Sequence, residues 1–273
     1  VAVNLEKEGL DEKIVLRAVG TSVYITQDIY LAKLKFDQFK LDKSIYLTGN
    51  EQDYHFKVLF LILKKLGFKF SNKIQHLLYG MVFLPEGKMK SREGTVVDAD
   101  DLIQQVQIMV KKELNSRYKL SQKELESRSL KIALASIKYY LLKIEISKNM
   151  TFNPKESISF EGDTGPYLQY AYARASSILK KINKRIKASK LNNLEEQEIN
   201  LIKKMADFQE VVKKAYSSLN PSIIANYSYQ LAQIFNEFYH SCPVVGSEKE
   251  SFRIQLVESF KQVLKNSLNL LGI

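Results

Sequence analysis

The chain is poor in the residues that staple or metallate small proteins. It has one cysteine, Cys242, which excludes an internal disulfide framework and fits a reducing, cytoplasmic compartment. Its three histidines, His55, His76 and His240, are too scattered for a histidine-based zinc site, and no protein-held metal is expected. No apolar run reaches the roughly 18 residues that a membrane span needs. The first nine residues lack the basic and apolar segments of a secretory signal. They also lack an initiator Met, so the chain is expected to start inside something larger or to have been cut.

What is present is ordinary for a soluble protein: 45% hydrophobic and 26% charged residues over 273 positions, enough for two domains. The formal net charge of +11 stands out. A basic balance of that size favours a polyanionic partner, most simply nucleic acid, although a lysine-rich coding bias gives the same number. The 15 Tyr and 14 Phe beside the lysines suit base stacking.

Along the chain, residues 13–18 and 22–25 read as short β-branched runs around a Val19-Gly20-Thr21 turn, followed by a helix over 28–39. Residues 44–47 read as a strand, 56–66 as an apolar helix stopped by Gly67, and 74–83 as one or two further strands. Strands alternating with helices imply βαβ units and a mainly parallel sheet, whose ligands sit outside the carboxyl ends of the strands. Tyr24 and Asp28 are then expected to face one site, with Gly49, Asn50, Glu51 and Gln52 lining the same crevice. Each also has an ordinary structural role available: cap, loop polar or core filler.

From Asp98 onward strand signals vanish. Helical spacing predicts helices over 98–113, 127–147, 164–182, 194–219, 222–242 and 248–271, with a Pro154-containing linker over 151–158 as the best domain boundary. Residues 182–190 read as a basic turn or helix end that is solvated or touches phosphate. The expected fold class is α/β plus all-α. The expected domains are 1–97, a helical connecting region over 98–150, and a helical bundle over 151–273.

Between the two halves lies Leu84-Pro-Glu-Gly-Lys-Met-Lys-Ser-Arg-Glu-Gly-Thr-Val-Val97. Gly87 and Gly94 bracket Lys88, Lys90 and Arg92, with the hydroxyls of Ser91 and Thr95 alongside. Glycines allow close backbone approach and lysines supply the charge that a phosphoryl-bearing transition state needs. A solvated basic turn has the same composition.

Five spaced stretches go further. They are Tyr24-Ile-Thr-Gln-Asp28, Gly49-Asn-Glu-Gln-Asp-Tyr-His55, Gly80-Met-Val with Gly87-Lys-Met-Lys-Ser-Arg-Glu-Gly94, Phe160-Glu-Gly-Asp-Thr-Gly-Pro-Tyr-Leu-Gln-Tyr-Ala-Tyr-Ala-Arg174, and Phe238-Tyr-His-Ser-Cys-Pro-Val244. Together with the closing Leu270-Leu-Gly-Ile273 they resemble, in order, the arginyl-tRNA synthetases, class I enzymes whose KMSKS loop the lysine-rich stretch is similar to.

That resemblance implies the second half of a Rossmann-like catalytic domain followed by a helical anticodon-binding bundle. It implies ligation of L-arginine to its tRNA with ATP, accompanied by Mg2+, in a cytoplasmic, monomeric parent protein with no membrane partner. Tyr24, Asp28 and Gln52 fall on arginine-binding positions, where a carboxylate can fork onto the guanidinium. Gly49, His55, Met81, Val82 and Lys88 fall near ATP. Lys88, Lys90 and Ser91 are the catalytic-loop positions, with Ser91 where the usual second lysine stands. Tyr167, Tyr170, Arg174 and Tyr239 match positions that contact the anticodon arm. The chain departs from the pattern in having no H-x-G-H string, the family's other ATP signature. It therefore reads as a carboxy-terminal portion, inactive by itself. The alternative is a non-catalytic tRNA-binding module.

Overall fold

The computed structural model describes residues 1–85, 87–88, 98–182 and 193–273, and for 87–88 the backbone only. Two compact units emerge: 1–81 with 147–149, and 82–146 with 150–273.

In the first unit, β1 (Ala2–Val3) pairs antiparallel with β2 (Lys13–Ile14). Helix α1 (Tyr24–Phe39), β3 (Ser44–Gly49), α2 (Asp53–Lys65) and β4 (Ile74–Tyr79) follow. β3 and β4 run parallel, in register from Ser44 opposite Ile74 to Gly49 opposite Tyr79, with α2 as the crossover, so the expected βαβ unit is present. α2 forms because Phe56, Leu59 and Leu63 share a face with Val58 and Ile62, all buried, while Lys57 pairs with Asp53 across 2.7 Å one turn away. It stops at Gly67, whose φ of 75° is a left-handed conformation that glycine adopts without strain. There the Gly67 and Phe68 amides donate back to Lys64 and Leu63. The core comprises these α2 residues with Leu5, Ile25 and Ala32.

Residues 22–25 are not a strand. α1 starts at Tyr24, where the Thr26 hydroxyl accepts from the Val23 amide at the helix N-terminus and donates to the Val15 carbonyl, tying the helix start to the preceding chain. A local capping network outweighs β propensity here.

In the second unit, β5 (Val82–Leu84) lies between β6 (Gly87–Lys88), antiparallel, and β7 (Met150–Thr151), parallel. Helices α3 (Ala99–Arg117) and α4 (Gln122–Leu142) pack together around Val106, Val110, Leu114, Leu125 and Phe152. α3 is capped by the Asp98 carboxylate. α4 starts five residues earlier than the apolar spacing suggests, at a Ser121–Glu124 capping box.

Residues 151–158 are not a loose linker. Phe152 is fully buried, its amide donates to the Phe83 carbonyl at 2.7 Å, and Pro154 opens the short α5 (Pro154–Ser157). The bundle continues with α6 (Gly165–Lys180), α7 (Glu196–Ala206), α8 (Phe208–Ser218), α9 (Ser222–Ser241) and α10 (Glu250–Leu270). The single helix expected over 194–219 is two, joined at Asp207, with no glycine or proline to mark the break. Phe235 and Phe260 stack 3.7 Å apart at the centre. Glu198, fully buried, is held by Arg253 at 2.7 Å and Lys249 at 3.3 Å, which ties α7 to α10. Among the described residues no helix is long and apolar enough to cross a membrane.

Candidate functional sites at the strand ends and on the helical bundle

Each unit assembles one group of the residues singled out by sequence. In the first, the carboxyl ends of β3 and β4 are drawn together by Asn149. Its Oδ1 accepts from the Met81 amide at 2.7 Å and from Asn50 Nδ2 at 3.0 Å. Gly80 makes this possible, because a Cβ there would lie 2.0 Å from the Lys148 carbonyl oxygen. The Met81 N–H is therefore already engaged.

α1 and α2 then contribute Asp28 and His55, whose Oδ2 and Nε2 lie 2.7 Å apart. His55 and Tyr24 line a cavity of about 420 Å³ together with Glu12, Lys13, Ile14 and Val23. Tyr24 is 85% exposed at its mouth. Asp28 reaches the cavity through His55. Gln52 sits exposed in the turn between β3 and α2, and Gly49 is buried at the end of β3. Val82 opens β5 in the second unit.

In the same unit His76 is held between Thr48 Oγ1 at 2.8 Å and Asp53 at 3.7 Å, with its ring stacked on Phe56. Burial pushes its pKa below the usual histidine value, against the pull of Asp53. Burial likewise pushes the Tyr46 phenol up, helped by the charge of Asp28. Lys90 and Ser91 lie outside the described residues, as do the Lys88 side chain and residues 183–190 of the basic turn.

In the second unit the four candidate RNA contacts converge. α6 carries Tyr167, Tyr170 and Arg174 at i, i+3 and i+7, and α9 carries Tyr239. The Arg174 guanidinium carbon lies 4.8 Å from the Tyr170 ring centroid and 4.7 Å from that of Tyr239. Its Nη2 donates to the Tyr170 hydroxyl at 3.1 Å and its Nη1 to Asn236 Oδ1 at 2.6 Å. Asn236 in turn donates to the Tyr167 hydroxyl at 2.7 Å. Sequence reasoning missed Asn236. The available signal was an Asn inside a long helix, one turn from Tyr239, at a position where Asn is a poor helix former. It missed Asn149 too, which has no local pattern to betray it.

The helix-start turn before α6 is made by Thr164, whose hydroxyl accepts from the Tyr167 amide. Asp163 instead accepts from the buried Tyr139 phenol and pairs with Lys143. That phenol is pushed far up, chiefly by burial.

Residues 3–153 match the family model for the catalytic domain of tRNA synthetases class I (R), and residues 168–273 match the DALR anticodon binding domain. The arginine–tRNA ligase of Bacteroides thetaiotaomicron is 49% identical over 286 residues, covering 100% of this chain and 48% of that protein. That of Flavobacterium psychrophilum is 46% identical, covering 100% and 47%. The chain thus spans about half the length of the curated relatives it matches. Among solved structures, Thermus thermophilus arginyl-tRNA synthetase superposes with a TM-score of 0.86 at 26% identity, over 96% of this chain and 50% of that one. Mycobacterium tuberculosis methionyl-tRNA synthetase shares the fold with a TM-score of 0.62 at 13% identity, over 96% and 52%. The chain belongs to the class I (R) tRNA synthetase family, with catalytic-domain sequence in its first part and a DALR anticodon-binding domain in its last.

Proposed function

We propose that the protein acts as an arginine–tRNA ligase, with this chain supplying part of the arginine and ATP site and the anticodon-binding surface. The supporting observation is that Tyr24 and His55 line one cavity within the matched catalytic segment, with Asp28 held against His55 at 2.7 Å. Asp28 is the anionic partner for the guanidinium of arginine, a charge-assisted contact that His55 holds in place until the substrate arrives. Tyr24 walls the cavity and Gln52 orients the substrate. Gly49, His55, Met81 and Val82 serve ATP.

The arginine carboxylate attacks the α-phosphorus of ATP, giving arginyl-adenylate and pyrophosphate. The terminal adenosine of the tRNA then takes the arginyl group and releases AMP. Lys88 stabilises the departing pyrophosphate, and Lys90 and Ser91 share the loop, so catalysis there is positioning and electrostatics.

Among the described residues, no group of three acidic, histidine or cysteine side chains gathers at this cavity. Asp28 is paired with His55 and Asp53 with Lys57. Mg2+ accompanying ATP would be carried by the nucleotide's own phosphates. Tyr167, Tyr170, Arg174 and Tyr239 take unstacked bases and phosphate of the anticodon arm.

A second reading, a tRNA-binding module without catalysis, is favoured by the tyrosine–arginine cluster lying entirely within this chain. An arginylation assay run beside a tRNA-binding assay on the 273 residues separates the two. Turnover supports the ligase. Salt-sensitive binding without turnover leaves the module for this chain.

A further inference from the structure

A groove of about 320 Å³ runs beside the tyrosine–arginine cluster, between α3, α4 and α6. Its walls are mainly apolar and aromatic: Tyr118 at the end of α3, Phe160 before α6, and Tyr170 and Ala173 on α6. Arg128 and Lys131 of α4 line it, and Arg117 lies over the Phe160 ring at 5.1 Å. Among the described residues Arg128 is held only by an exposed pair with Glu124, which is worth little, and Lys131 makes no ion pair. Tyr118 and Tyr170 are 55% and 46% exposed, so both rings offer open surface. Gln169 also lines the groove. Among the described residues its buried Oε1 has no hydrogen-bond partner, so turning the amide sacrifices no bond there.

We propose that this groove is a second nucleotide slot, taking one unpaired base of the bound RNA, with the attached phosphate on Arg128 and Lys131. Three features select this occupant. Aromatic walls of this kind take the face of a base whatever its sequence. The cations sit where a phosphodiester needs them. Tyr170 belongs to both places, lining the groove while its hydroxyl accepts from Arg174, so a strand held at Arg174 continues into the slot. The inference rests on the RNA reading of the Arg174 cluster but concerns residues outside it.

The test uses a stem-loop RNA with the anticodon arm of an arginine-accepting tRNA, carrying 2-aminopurine at one loop position at a time. On binding, one loop position is expected to change its fluorescence because its base enters the slot. Ala173→Phe, at an exposed position, fills the groove and should abolish that response and weaken binding by about tenfold. Lys131→Ala, on a solvent-facing side chain, should weaken binding several-fold and flatten the salt dependence without touching the fold. Identical responses and affinities in wild type, Ala173→Phe and Lys131→Ala overturn the slot while Arg174→Ala still weakens binding. Insensitivity to Arg174→Ala with sensitivity to the groove variants overturns the cluster and keeps the slot. No RNA binding by wild type overturns both.

Discussion

Asn236 holds Arg174: its Oδ1 accepts from the guanidinium at 2.6 Å while its Nδ2 donates to Tyr167 at 2.7 Å. One amide on α9 thereby fixes two side chains on α6, so the cationic group is oriented before any RNA arrives. Asn236→Leu should weaken tRNA binding by about 1–2 kcal/mol, and Asn236→Asp, which keeps an acceptor for Arg174, should lose less. A double-mutant cycle with Arg174→Ala should be strongly non-additive. Additive losses would show that Asn236 acts independently of Arg174.

Asp28 is the sole carboxylate assigned to the substrate guanidinium. Asp28→Asn removes the charge but keeps the shape, and should weaken arginine binding by about 2–5 kcal/mol while leaving ATP affinity in place. Calorimetry with each ligand separately checks this. Equal losses for both ligands would mean that the cavity collapsed.

Glu198 is fully buried against Arg253, which is itself nearly buried. Glu198→Ala leaves that guanidinium without its main counter-charge and should cost about 3–5 kcal/mol of stability by denaturant unfolding. A loss below about 1 kcal/mol would show that Glu195 and the Pro243 carbonyl satisfy Arg253 unaided.

His76 ties stability to pH. Its pKa is lowered from 6.5, burial being the first cause, so its contribution is complete above about pH 6.5. Below that the unfolded chain takes up the proton first, and the contribution disappears as pH falls through the folded value. His76→Gln should flatten the stability profile over this window, by at most about 1.4 kcal/mol per pH unit. An unchanged profile would place the acid sensitivity elsewhere.

Much of this was legible in the residues. The βαβ unit was visible because α2 is a run of apolar residues closed by glycine between two short β-branched strands. The bundle was visible because stripes such as Leu231, Phe235 and Phe238 repeat at helical spacing. Local pattern failed where a side-chain contact decides the backbone. Thr26 turns a β-branched stretch into a helix start, and burial of Phe152 turns a proline linker into packed structure. At the candidate sites the motifs pointed to Tyr24, Asp28 and Arg174, whereas Asn236 and Asn149 act through partners 62 and 68 residues away. No local spacing reports such contacts.

The most direct test is transfer of labelled arginine to tRNA by the protein in the longest form its gene encodes, comparing wild type with Asp28→Asn and Lys88→Ala. Wild type is expected to charge an arginine-accepting tRNA. Lys88→Ala should lower the turnover number by the equivalent of about 2–4 kcal/mol, and Asp28→Asn should raise the arginine requirement. Charging with arginine that neither substitution changes would contradict the site assigned here.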